Sequence, residues 1–296
     1  MINHLLKKQS RKKLSHLMNQ DMSILDEKNL GKPALIFSPH PDDETLGCGG
    51  MIIKKKRAGA NIKIVFMADG SKSHRRFVSE KRLKSIRARE AVAAGRTLGL
   101  SDSDIHFLGY KDAELFKYRK SAVSKVIEIL LQQRPEEIFI PYYQEPSLWN
   151  KDHLATNRIV LSAIQRLRKN IDIFEYPIWF LCYWPWANTP IYSINNFLYI
   201  LKINIISNYF LLKDFHCSVY IGDVLGIKRA ALNQHKSQMT RLVPNPLWRI
   251  LSDVSNGEFL EIFFQEYEIF HRYNSLDMVA RALTKRVYGK TRTNNE

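Results

Sequence analysis

Hydrophobic residues along this chain gather in short runs separated by polar, helix-length stretches. The runs Ala34–Ser38 and Ile62–Ala68 are almost wholly apolar and read as buried strands, with Thr45–Arg57 forming a helix between them. "HFLG" at 106–109 and "EEIFIP" at 136–141 supply two further strands, each after a longer helical stretch. Strands that alternate with helices predict an α/β fold, a mostly parallel sheet with helices on both faces. In such sheets ligands collect at the carboxyl ends of the strands. Three polar loops sit at those ends: "SPHPDDE" from Ser38, "ADGSKSH" from Ala68 and "PYYQEPSLWNKDH" from Pro141. They converge on one crevice.

Asp42, Asp43 and Glu44 are consecutive in the first loop. Carboxylates side by side in a low-dielectric cleft repel one another, and a divalent cation offsets that repulsion and favours their ionised forms. His40 and Asp43 lie close enough in one tight loop to bind the same ion, and His153 at the start of the next helix completes a set of three ligands. Two imidazoles and one carboxylate suit zinc, and three protein ligands leave a position for water, as at a catalytic site. Asp42 then stands beside that water as general base. Plainer roles compete with these. Either Asp42 or Asp43 could cap the helix that starts near Thr45, and His153 taken alone could be a helix-start residue. Cys48 has no apparent partner base and reads as a small packing residue.

At 296 residues and 45% apolar composition the chain can bury one substantial core, which predicts one main domain. Its three cysteines, Cys48, Cys182 and Cys217, include no CxxC pair, so neither a disulfide framework nor a cysteine zinc site is expected, and a reducing compartment fits. The opening "MINHLLKKQSRKKLSHLMNQ" lacks the unbroken apolar core of a signal peptide, and a cytoplasmic location is expected. A formal net charge of +16 favours anionic partners: a phosphate-bearing small molecule, nucleic acid or an acidic membrane. A basic nucleic-acid-binding α/β protein without hydrolase activity is the alternative from another class. Clusters such as "KKQSRKK" come without a zinc finger, helix-turn-helix or RRM signature, so nucleic acid is not the expected partner. A nucleotide site on Gly47, Gly49 and Gly50 is the alternative within the α/β class, but "GCGG" lacks the full GxGxxG spacing and follows acids that repel a pyrophosphate.

Six motifs in order, "HPDDE", "ADG", "REAVAAGRTLGL", "LGYKDAEL", "DH" opening a helix and "HKSQ", resemble the PIG-L/LmbE-like family of zinc-dependent N-acetylglucosaminyl deacetylases over most of Ala34 to Phe270. The resemblance implies a Rossmann-like fold. It also implies hydrolysis of the N-acetyl group of a GlcNAc-type amino sugar, releasing acetate and a free amine, in glycolipid or cell-surface polysaccharide biosynthesis. His40, Asp43 and His153 are then ligands of Zn2+ or another divalent transition metal, and Asp42 is the general base. Arg87 and Asp112 match positions that hold the sugar, against plainer readings as a helix charge and a turn residue. Many relatives carry a histidine three residues before the last ligand. This chain has Asn150 there, which donates to an oxyanion but cannot protonate a leaving amine. The proton is then expected from Asp42 or from His235 of "HKSQ", and Asp152 is expected to orient a histidine ligand. The expected substrate is an amino sugar, nucleotide- or lipid-linked.

Residues 1–30 are expected to form a basic N-terminal arm, 31–275 the deacetylase domain and 276–296 a basic tail. The section 177–215 is rich in aromatic and aliphatic residues, yet Asn195, Asn196, Lys202, Asn204 and Asn208 interrupt it too often for a membrane span. It reads either as core or, through Trp179, Trp184 and Trp186, as a surface resting on the inner face of an anionic membrane.

Overall fold

The computed structural model describes residues 22–146, 151–182, 205 and 207–276. Its strands are β1 (Ser23–Ile24), β2 (Ala34–Ser38), β3 (Ile62–Ala68), β4 (Ile105–Tyr110), β5 (Glu137–Pro141), β6 (Asp172–Tyr176), β7 (Cys217–Tyr220) and β8 (Tyr267–Asn274). They form one eight-stranded sheet in the order β1-β7-β8-β6-β5-β2-β3-β4. Neighbours run parallel except at β8, which is antiparallel to both β6 and β7. β2 and β3 coincide with the two apolar runs, "HFLG" and "EEIFIP" fall in β4 and β5, and the first helix spans Asp43–Arg57. The α/β sheet with helices on both faces is the architecture expected.

An unbroken apolar strand is what a sheet covered on both faces requires. In β2, Leu35 and Phe37 enter one core with Val65, Met67, Ile138 and Ile140, while Ile36 enters the other with Ile64, Phe66 and Phe139. The period of two along each strand thus feeds two cores at once. From β2 the chain steps outward to β3 and β4, then returns to place β5 on the other side of β2. That reversal opens a crevice at the carboxyl ends of β2 and β5, the usual ligand position of such sheets.

The glycines of "GCGG" lie buried inside the Asp43–Arg57 helix. A Cβ at Gly47 would come within 2.4 Å of the Tyr176 ring, so the helix approaches β6 as closely as only glycine permits. The run is a packing surface and not a phosphate-binding turn. Glu268 of β8 then locks strand to helix: it accepts from the Gly50 and Met51 N–H groups at 2.7 Å each and pairs with Lys228 at 2.8 Å. Lys228 also donates to the Leu46 carbonyl at 2.9 Å.

Among the described parts of 177–215, Ile178, Phe180, Leu181, Leu211 and Phe215 are buried in the core, whereas Ile205, Tyr209 and Leu212 are exposed. Trp184 and Trp186 lie outside the described residues. No helix among the described residues is long and apolar enough to cross a membrane.

Candidate active site

After β2 the backbone makes a turn that few residues tolerate. Asp42 has φ 129° and ψ −33°, a conformation that costs a residue with a Cβ about 1–3 kcal/mol. Its side chain makes no capping bond to the helix that follows, so the capping role is not what holds it. Two neighbours do. The Asp42 N–H donates to Glu44 Oε2 at 2.8 Å, and the Asp42 carboxylate lies 3.1 Å from Arg87 Nη2. Arg87 is buried in the helix Glu80–Thr97 and also donates to the carbonyls of Gly70 (3.1 Å) and Pro41. A Cβ on Gly70 would meet the guanidinium at 2.4 Å, and its φ is +61°, which explains the glycine of "ADG". Asp69 of the same motif accepts from the N–H groups of Ser71 (3.1 Å) and Asp112 (3.2 Å), tying the loop after β3 to the loop after β4.

His40, Asp43 and His153 converge in the crevice, all three buried. Asp43 Oδ2 is 3.3 Å from His40 Nδ1 and 3.2 Å from His153 Nε2. One atom of each residue lies within 4.8 Å of the others. His153 is fully buried, yet neither of its ring nitrogens makes a hydrogen bond. Buried polar atoms are rarely left so, and a cation at Nε2 supplies the missing partner. Two imidazole nitrogens and one carboxylate oxygen fit a divalent metal.

Supporting groups fix the ligands from behind. His40 Nε2 faces Asp152 Oδ2 at 3.2 Å and Asp112 Oδ1 at 3.3 Å, and Asp152 accepts in turn from the Ala113 (2.7 Å) and Leu115 (3.1 Å) N–H groups. His40, Asp112 and Asp152 also have the spacing of a ligand group. Both carboxylates are already bound by backbone N–H groups, Asp112 from Lys72, so they act as outer partners of His40. On the other side Glu145 Oε2 lies 3.7 Å from His153 Nδ1. It is held there by the Ile178 and Trp179 N–H groups at 2.7 and 2.8 Å. Sequence reading missed Glu145. Its only signal was a carboxylate on the β5 loop ahead of His153.

Electrostatics separates the two neighbouring aspartates. Burial pushes the Asp42 carboxyl up to about 6, against the pull of Arg87. Burial also opposes ionisation of Asp43, but the His153 and His40 rings outweigh it and hold that carboxyl well below the usual range. Asp42 is therefore poised to exchange a proton near neutrality while Asp43 stays ionised. Replacing Arg87 with methionine removes the charge that lowers Asp42. The acid limb of the kcat/KM profile should then move upward, and an unmoved limb would reduce Arg87 to a loop support.

A cavity of about 680 Å³ opens onto His40, Asp42, Asp43, Arg87 and Asp112. His235 does not line it among the described residues. It is fully buried with Nε2 2.8 Å from Glu44 Oε1, one step behind Asp42. Burial disfavours its charged form, but the Glu44 carboxylate wins and raises its pKa. Glu44, the third acid of "HPDDE", thus serves the Asp42 N–H and His235 together, a role its position in sequence did not disclose. Asn150 lies outside the described residues.

The family model described as PIG-L, GlcNAc-PI de-N-acetylase, matches residues 35–164, the stretch that carries His40, Asp42, Asp43 and His153. The chain carries a PIG-L family domain. A diacetylchitobiose deacetylase of Thermococcus kodakarensis is 24% identical over 238 residues, 79% of each chain. A probable N-acetyl-alpha-D-glucosaminyl L-malate deacetylase 2 of Bacillus cereus is 27% identical over 139 residues, which is 46% of this chain and 62% of that protein. The structure of an N,N'-diacetylchitobiose deacetylase from Pyrococcus horikoshii with an inhibitor bound has the same fold. It matches at TM-score 0.57 and 22% identity, covering 91% of this chain and 93% of the other. With that domain the chain is a metal-dependent amidohydrolase of the deacetylase type.

Proposed function

We propose that this protein uses zinc to hydrolyse the N-acetyl group of a GlcNAc-type amino sugar, giving acetate and the free amine, in cytoplasmic assembly of a glycolipid or cell-surface polysaccharide. The observation that carries this reading is Asp42, tuned toward neutrality and opening onto the same cavity as His40 and Asp43, with His153 3.2 Å behind Asp43. Zinc held by those three side chains would polarise the acetamide carbonyl and make water a better nucleophile. Asp42 takes the proton of the attacking water as its oxygen adds to the acetamide carbon. When the C–N bond breaks, Asp42 returns that proton to the leaving nitrogen. Asp42 suits both steps because it reaches the cavity. His235 acts through Glu44, holding the Asp42 backbone in its strained turn. Asp112 accepts from sugar hydroxyls, and Arg87 adds a donor beside them. Peripheral contact with an anionic membrane belongs to this reading only where the sugar is lipid-linked.

The test is amine release by zinc-loaded protein from a panel of N-acetylglucosaminides. Failure to release amine from every sugar would overturn the proposal, and salt-dependent DNA retention without turnover would favour a nucleic-acid-binding role.

Asn150 is proposed as the donor to the developing oxyanion. Asn150→Ala should then lower kcat by about a hundredfold, the scale of a lost oxyanion donor. Asn150→His should add a titration near neutrality to the rate profile, because imidazole ionises there and an amide does not. A full-rate alanine variant would assign the oxyanion to other groups.

A further inference from the structure

Two cations on the cavity wall have no ion-pair partner among the described residues. Asp42 pairs with Arg87 at 3.1 Å, Lys72 pairs with Glu114 at 2.7 Å, and His40 lies 3.3 Å from both Asp43 and Asp112. Lys151 and Arg249 line the same cavity, are exposed, and make no ion pair among the described residues.

Neither residue is a chance surface charge. Lys151 is the first residue of the helix Lys151–Leu167, where the exposed N–H groups make a cation locally unfavourable. Folding therefore gains nothing from a lysine there. Arg249 rises from an anchored backbone: its carbonyl accepts from His74 Nε2 at 2.7 Å, and His74 stacks on Trp248 with ring centroids 4.2 Å apart. Trp248 is fully buried and donates to the Ser237 carbonyl at 3.0 Å. The guanidinium is thus presented from a fixed point.

We infer that Lys151 and Arg249 form an anion subsite on the rim of the metal cavity that binds a phosphate carried by the group to which the amino sugar is attached. The inference rests on the deacetylase reading, which places the acetamide at His40, Asp43 and His153 and lets the rest of the substrate extend across the cavity. A site of about 680 Å³ takes a ligand larger than its reacting group. Arginine's planar fork matches two phosphate oxygens, and the lysine adds a point charge. The substrate class is accordingly a glycosyl phosphate or diphosphate. The same chemistry can come from a soluble nucleotide sugar or from a lipid-linked one.

The experiment compares N-acetylglucosamine, N-acetylglucosamine 1-phosphate, uridine diphosphate N-acetylglucosamine and a polyprenyl diphosphate-linked N-acetylglucosamine in micelles. Affinity is measured by calorimetry on the metal-loaded full chain and kcat/KM by amine release, for wild type, Lys151→Gln and Arg249→Gln. The phosphorylated sugars should exceed the neutral one by about tenfold or more in both measures. Each substitution should cut that ratio by about tenfold, the scale of one charge-assisted contact. The advantage should also shrink with salt. Preference between the nucleotide and polyprenyl arms names the source of the phosphate. Equal affinity for neutral and phosphorylated sugars, or a ratio that neither substitution moves, overturns the subsite. Turnover without anion preference sinks the subsite alone. Absence of any turnover sinks the deacetylase reading, and the calorimetric ratio still decides the subsite.

Discussion

Asp42→Asn should lower kcat by about two to four orders of magnitude while metal content stays at the wild-type level. The amide keeps the shape of the side chain and can still face Arg87, but it cannot accept a proton from water. The Asp42 N–H to Glu44 bond that holds the strained turn is untouched, so the turn should survive the change. The check pairs single-turnover kinetics with metal analysis of the same preparation. If the rate falls only in proportion to lost metal, Asp42 is a ligand and the base lies elsewhere. Wild type itself should show an acid limb in kcat/KM at or below about pH 6: burial places the Asp42 carboxyl at about 6, and a bound cation can only lower it.

Replacing His153, His40 or Asp43 with alanine should abolish metal binding and activity together. His153→Ala is the most telling of the three, since it removes the buried imidazole whose nitrogens have no hydrogen-bond partner. Stripping metal from the intact chain adds a second signature. The buried rings of His40, His153 and His235 have pKa values raised above 6.5: burial opposes their charge, but facing carboxylates outweigh it. Each contributes stability that is fully present below pH 6.5 and lost as pH rises through its folded value. Burial raises the carboxyls of Asp42 to about 6 and Glu145 to about 7, so these two lose stability as pH climbs from their unfolded values of 3.8 and 4.5. His74 and His106 are lowered by burial and work in the opposite direction, but only below 6.5. Metal-free protein should therefore melt at progressively lower temperature as pH rises above 6.5, and added zinc should reverse the trend by taking the place of protons on His40 and His153. A melting temperature that ignores both pH and zinc would refute the ligand assignment.

Much of this site was legible because its residues cluster in sequence. His40, Asp42 and Asp43 share one loop, and the strand before them is an unbroken apolar run whose end is unmistakable. His153 could be joined to them because βαβ order sends β2 and β5 to the same crevice. The missing parts were those whose partners are remote along the chain. Glu44 finds His235, Glu145 finds the N–H groups of Ile178 and Trp179, and Glu268 finds Lys228 and the helix N–H of Gly50. Nothing local marks a carboxylate as destined for burial. The strands β6 and β8 escaped for a related reason. Their facing pair Glu175 and His271 is polar, bonded at 2.8 Å, and Asn157 and Tyr273 also donate to Glu175, so a charge sits where an apolar residue was the expected strand signal.

The place of β8 in the sheet has a consequence for the order in which the protein acquires its parts during synthesis. β2, β3, β5 and the helix bearing His153 emerge early, so a nascent chain released only to about that helix already holds His40, Asp43 and His153. β1 must wait much longer, since Ser23 bonds to a residue 193 positions downstream. β8 enters later still and is the piece that joins β7 and β1 to the rest of the sheet. Pairing across such separations is slow and leaves strand edges open meanwhile. The ribosome thus presents the His40, Asp43 and His153 group before the far edge of the sheet is paired.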